Sequence, residues 1–298
     1  MLLSTQTEFL GKRFGIEKTI EILAKAGFDA IDFSQFDLKD EACPFAGDDY
    51  RIYVKKLTES AKANNVTFNQ SHAPFPSAKN EDAAFNQMIF DRIVRSIEIA
   101  GLLGAKSIVV HPMQHLPYLS HKPELREANL EFYSALAPYA KAAGVKICLE
   151  NMWQRDPESR QIVCSTCSTP ADFIDYLDML ADDCFTACLD LGHCGLYGIP
   201  AEEMILELGN RITALHIHDN NNLDDQHTMP YLGKMNWDAI LTALCKIGYA
   251  GDFTLEADGF YKKFPVSMAA DCARFLAIGA RQLMRRLEEI KAEVGAEG

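Results

Sequence analysis

The chain lacks several features that would fix its class at once. It has no run of about 18 apolar residues, so no membrane-spanning helix is expected. Its first residues, MLLSTQTEFLGKRFG, place no basic segment ahead of a long apolar block and do not read as a secretory leader. Positive charge is in short supply: 29 Lys and Arg stand against 42 Asp and Glu, a net charge of −13. That balance disfavours nonspecific attraction to nucleic acid or an anionic membrane, although a local basic groove could sit on an acidic chain. No Gly-rich phosphate loop follows the first strand candidate, so no nucleotide cofactor is expected. The CSTC pair, Cys164 and Cys167, has no second CxxC and no His pair at finger spacing, which argues against a structural zinc or a redox couple. No linker rich in Pro, Gly or Ser divides the 298 residues.

What the chain does have is a large apolar fraction, 48% of residues, enough for a sizeable core without disulfides. Its nine cysteines are odd in number, and several sit inside apolar runs: Cys148 in KICLE, Cys184 and Cys188 in CFTACLD, Cys245 in ALCKIG. They read as buried small hydrophobes in a cytoplasmic protein. Short β-branched runs alternate with longer amphipathic ones. Strand candidates are 2–5, 30–34, 66–71, 107–111, 146–150, 185–190, 213–218 and 253–257. Between them apolar residues recur at helical spacing, as with Met88, Ile89, Ile93, Ile97 and Ala100. Thr169-Pro170 and Ile199-Pro200 open helices, while Gly27, Gly104, Gly144 and Gly248 stand where helices stop. Eight strand–helix repeats predict parallel βαβ units in the α/β class. An open doubly wound sheet competes, but the count favours a single (β/α)8 TIM barrel spanning residues 1–298. The stretch 288–298 is expected to be a polar, fraying tail.

In such barrels the active site is built where the strands end. Strands three to eight finish at His72, His111, Glu150, Asp190, His216 and Glu256, with His193, Asp225 and His227 just beyond. Singly, each has an ordinary explanation: a helix cap, an ion-pair partner, a satisfied histidine. His115, His121 and His218 read as core or rim residues of that kind. Together, unpaired carboxylates at one barrel mouth would repel each other, and a divalent cation would hold them. The mixed oxygen and nitrogen donors suit Mn²⁺, Zn²⁺, Co²⁺ or Fe²⁺ without choosing among them. Alternation alone leaves open whether His216 or His218 ligates.

The segments CLEN (148–151), DLGH (190–193), LHIHDN (215–220), DDQHTMPYLGKMNW (224–237) and GDFTLEAD (251–258) resemble the xylose-isomerase-like barrels. That superfamily includes sugar and sugar-phosphate isomerases, ketose 3-epimerases, inosose dehydratases and apurinic-site endonucleases, and the resemblance covers essentially the whole chain. It implies that Glu150, Asp190, His216 and Glu256 hold the metal, and that His193 contacts substrate or a further ion. Two departures stand out. Ketose 3-epimerases typically carry an arginine after strand seven, where this chain has Asp225 and His227. The endonuclease branch binds three zinc ions through nine residues, and this chain matches all nine: His72, His111, Glu150, Asp190, His193, His216, Asp225, His227 and Glu256. The surrounding text nevertheless differs, HDNNN standing where the endonucleases have NDSK.

The resemblance thus implies, first, a metal-dependent isomerase or epimerase of a small-molecule sugar or sugar phosphate. Glu150 and Glu256 would exchange a proton with a metal-stabilised enediolate, His193 and His111 would hold hydroxyls, and Phe75 and Trp153 would serve either as apolar walls or as ordinary loop packing. A multinuclear-zinc phosphodiester hydrolase is the alternative, but it needs a basic rim. NNLDD at the mouth is acidic, and the basic RQLMRRL (281–287) falls on the last helix, outside the barrel. An inosose-type dehydratase and a non-catalytic metal-dependent sugar binder also satisfy the ligand pattern. Homo-oligomer formation is open, by analogy with related barrels.

Overall fold

A computed structural model describes residues 1–296 of the chain. Its strands in chain order are β1 (Leu3–Gln6), β2 (Ala30–Ser34), β3 (Thr67–His72), β4 (Ser107–Val109), β5 (Lys146–Glu150), β6 (Trp153–Arg155), β7 (Ile162–Cys164), β8 (Phe185–Asp190), β9 (Ile212–His216) and β10 (Phe253–Leu255). Eight of them pair in parallel in the order β10-β1-β2-β3-β4-β5-β8-β9. The ring closes through a bridge between Ile217 and Leu255, with Ile217 N–H donating to Thr254 O at 2.9 Å and Glu256 N–H to Ile217 O at 3.0 Å. This is the TIM barrel expected from the eightfold alternation. Strands β6 and β7 form an antiparallel hairpin beside the mouth that the sequence reading did not foresee. No helix among the described residues is long and apolar enough to cross a membrane.

Several strands are shorter than the apolar runs that announced them. β4 stops at Val109, and three residues later Pro112 has no N–H to continue the ladder. The helix Pro170–Leu180 starts as expected, the Thr169 hydroxyl accepting from Asp172 N–H at 3.2 Å. Gly144 closes the helix Tyr118–Ala143 at φ 68°, where a side chain would be strained. The last helix runs Ala269–Ala296, with Ile290 buried, so it takes in most of the stretch 288–298; residues 297–298 lie outside the described residues.

Alternation along the strands decides what faces the axis. Val109, Cys148, Cys188 and Ala214 form a small apolar cluster of their own inside the barrel, apart from the main core between strands and helices. Two residues further along three of these strands, on the same face, stand Glu150, Asp190 and His216. The plug of small side chains is therefore the floor on which the mouth residues rest.

Candidate metal centre

All nine strand-end and loop residues singled out above converge at the C-terminal mouth. Glu150 is the hub: its Oε1 lies 3.1 Å from His216 Nδ1, and its Oε2 lies 2.9 Å from His111 Nε2 and 3.7 Å from His72 Nε2. From the far side Glu256 Oε2 reaches the same His216 Nδ1 at 3.0 Å. One donor atom from each of Glu150, Asp190, His216 and Glu256 falls within 4.8 Å of the others. The same holds for His72, His111 and Glu150, and for His193, His218, Asp225 and His227. These groupings could hold divalent ions, and Glu150 is shared between two of them.

His218 corrects the sequence reading. It is not a passive core or rim residue: its Nε2 sits 3.0 Å from Asp190 Oδ1, and its ring stacks on His227 at 4.0 Å. Gly192 makes the room, since a Cβ there would lie 2.0 Å from His218 Cε1. His115 and His121, by contrast, are each half-buried.

Ring orientations are fixed from behind. The Nδ1 atoms of His72, His193 and His227 face the main-chain carbonyls of Ala73 (3.0 Å), Asn151 (2.8 Å) and Glu256 (2.9 Å). An Nδ1–H donated to a carbonyl leaves Nε2 as the bare electron pair directed into the site, the usual arrangement for a ligating imidazole. His216 is turned the other way and offers Nδ1.

The electrostatics also fit a cation. Burial would push the carboxyls up, but neighbouring imidazoles overrule it: His216 and His111 hold Glu150 well below the usual carboxylate range, and His216 and His227 do the same for Glu256. Burial likewise opposes charge on the imidazoles. Asp190 and Asp225 nonetheless raise His193 to about 10, and His227 rises well above its ordinary value beside Asp225. His111 is the exception, since burial wins there and lowers it. Fully buried Glu150 Oε2 and Asp225 Oδ1 have no hydrogen-bond partner in the protein. Protons on imidazoles thus occupy the electrostatic place that a divalent ion would take.

Neighbouring residues that the sequence reading missed build the frame. Asn151 receives Asp190 N–H at 2.7 Å and donates to Asp190 O at 2.9 Å, clamping the end of β5 to that of β8. Asp219, fully buried, accepts from the N–H groups of Asn220 (2.9 Å), Tyr231 (3.0 Å) and Met235 (3.2 Å) and from Trp237 Nε1 (3.0 Å). It thereby pins both ends of the loop that carries Asp225 and His227. Gly233 packs against this carboxylate, where a Cβ would come within 2.2 Å of Asp219 Oδ1. Trp153 donates from Nε1 to Asp225 Oδ2 at 3.3 Å, and Phe75 stacks on His111 at 4.7 Å. Both aromatics therefore border the donor cluster. All nine cysteines are free thiols; Cys164 ends the β6–β7 hairpin and Cys167 sits in the turn after it.

Comparison with known proteins agrees with the barrel architecture. The family model for xylose isomerase-like TIM barrels matches residues 20–276. An uncharacterised protein of Methanocaldococcus jannaschii is 28% identical over 249 residues, covering 81% of this chain and 78% of its own. The D-psicose 3-epimerase of Ruminiclostridium cellulolyticum is 25% identical over 244 residues, covering 80% of this chain and 76% of its own. A D-tagatose 3-epimerase-like protein of known crystal structure superposes with a TM-score of 0.71 over 98% of this chain and 99% of its own, at 22% identity. The chain belongs to the xylose isomerase-like TIM barrel family, and it is an enzyme.

Proposed function

We propose that the chain is a divalent-metal-dependent isomerase or epimerase acting on a sugar or sugar phosphate in the cytoplasm. The observation that carries this reading is the convergence of Glu150 and Glu256 on one nitrogen of His216, at 3.1 and 3.0 Å, with Asp190 beside them. Those four residues would hold the ion, Mn²⁺, Zn²⁺, Co²⁺ or Fe²⁺ by donor type. When bound it would supply Lewis acidity, polarising a sugar carbonyl and stabilising the charge left by deprotonation of the adjacent carbon. Glu150 and Glu256 arrive from different strands, so one is placed to remove a proton and the other to return it. His193 and His111 border the cluster with nitrogens suited to sugar hydroxyls, and Phe75 and Trp153 supply apolar walls. The names of the epimerase relatives support the sugar assignment.

The test is proton exchange in heavy water across ketoses, aldoses and inososes with metal-loaded enzyme. Deuterium entering carbon next to the carbonyl of one sugar class supports the reading, and absence of exchange with every class counts against it. A second reading has its own observation: Glu150 joins two donor groups while His193, His218, Asp225 and His227 form another, as a multinuclear-zinc phosphodiester hydrolase would require. The acidic NNLDD loop at the mouth, residues 221–225, weighs against it, because phosphate affinity rests on Lys and Arg. Arg281 and Arg286 of the last helix are already paired with Asp29 and Asp238. Three zinc ions per chain together with nicking of abasic duplex DNA would favour that alternative.

A further inference from the structure

His216 differs from its neighbours in how its outer nitrogen is treated. His72, His193 and His227 are backed by neutral main-chain carbonyls. His216 directs Nδ1 to Glu150 and Glu256, so its Nε2 points away from them, and no hydrogen-bond partner meets it there. What faces it is a carboxylate, Asp32 Oδ2, at 3.6 Å. Asp32 is fully buried on β2, and its Oδ1 has no partner. Gln70 Nε2 donates to Oδ2 at 3.1 Å and fixes the group.

The backbone is arranged for this. β2 and β3 pair Ile31 with Phe68 but then Asp32 with Gln70, an irregularity of the kind that re-aims side chains beside active sites. A buried carboxylate is costly to desolvate unless a cation or strong donor compensates it. Gln70 is neutral, and the imidazole of His216 is the charge-bearing group that faces it.

We propose that Asp32 is a positioning residue for His216, fixing its Nε2–H tautomer and making Nδ1 a stronger donor to a divalent ion than the carbonyl-backed histidines. A carboxylate behind a ligating imidazole orients the ring and raises its basicity, and loss of such a partner typically weakens metal binding about 10–100-fold. Asp32 touches neither substrate nor ion in this role. The inference rests on the metal-centre reading given above.

Two measurements test it. Metal-stripped protein is titrated with Zn²⁺ against a chromophoric chelator, for the wild type and for Asp32→Asn and His216→Ala. The expected result is a zinc Kd raised about 10–100-fold in Asp32→Asn, with the melting temperature of the metal-free protein unchanged. In ¹⁵N-histidine-labelled, zinc-loaded wild type, His216 should show a slowly exchanging Nε2–H proton resonance, a readout that needs no variant. An unchanged Kd in Asp32→Asn overturns the proposal, as does a wild-type His216 that carries its proton on Nδ1. If His216→Ala binds zinc as tightly as the wild type, the metal-centre reading itself falls, and this inference with it.

Discussion

Replacing Asp219 by Ala removes the carboxylate that ties down residues 220–237 at four points. Three backbone N–H groups and the Trp237 indole lose their acceptor, all within 3.2 Å of it now. A hydrogen bond to a charged group contributes about 1.5–3 kcal/mol, so simple addition would give about 6–12. That sum is not reached, because the loop can open locally and let water satisfy the donors. A loss of about 3–5 kcal/mol, comparable to breaking a buried ion pair, is the expected ceiling. Urea unfolding followed by far-UV circular dichroism measures it, and Asp219→Asn should fall between wild type and Ala. The two tryptophans give a local readout, since Trp237 donates to Asp219 and Trp153 to Asp225 in the loop that Asp219 holds. Their emission should shift to the red, and proteolysis should begin between residues 221 and 235. A loss under about 1 kcal/mol with unchanged proteolysis would refute the assignment of Asp219 as the loop's anchor.

Glu150→Gln should lower turnover at least ~10²-fold and weaken metal retention; near-normal turnover with metal still bound would remove Glu150 from the chemistry. Gly192→Ala places a methyl 2.0 Å from His218 and must push that ring off Asp190. A cost of about 1–3 kcal/mol and a clear fall in activity are expected, measured by thermal unfolding and initial rates. Metal-free protein should show opposite pH limits. The raised pKa of His193 contributes stability fully present below its unfolded value and lost as pH rises through about 10. The depressed pKa values of Glu150 and Glu256 contribute stability present above the unfolded carboxylate value and lost as pH falls through the folded ones. The melting temperature of stripped protein should therefore fall between pH 7 and 10, while that of metal-loaded protein, whose imidazoles are already neutral, should not; parallel profiles would contradict this.

The barrel was legible because its pattern is local: each strand–Gly–helix junction repeats, and helix starts such as Thr169-Pro170 are read from neighbouring residues. The donor set was legible because six successive strands end in ligand-type residues. What escaped depended on tertiary partners. His218 shares a face with His216, but only the missing Cβ of Gly192 lets its ring reach Asp190. Asp32 lies in AIDFS like any buried strand residue, and its role depends on a register shift between β2 and β3 that no periodicity reveals. Asp219 lies within LHIHDN, yet the four donors it gathers come from as far as residue 237. The β6–β7 hairpin was missed because its three-residue strands stand outside the strand–helix repeat that marked the equally short β4 and β10.

The rear anchoring of His72, His193 and His227 has a consequence for how far the mouth can give. Their rings hang from the carbonyls of Ala73, Asn151 and Glu256, so the place of each Nε2 is set by backbone at the ends of three strands. Were an ion held in the grouping that His193 and His227 share, a larger cation such as Ca²⁺ would be admitted only by spreading that backbone or by abandoning a ligand. On that reading the stiffness of the cylinder would discriminate by ionic radius, and loosening Asn151, which staples two of its staves, should make the grouping more permissive toward oversized ions.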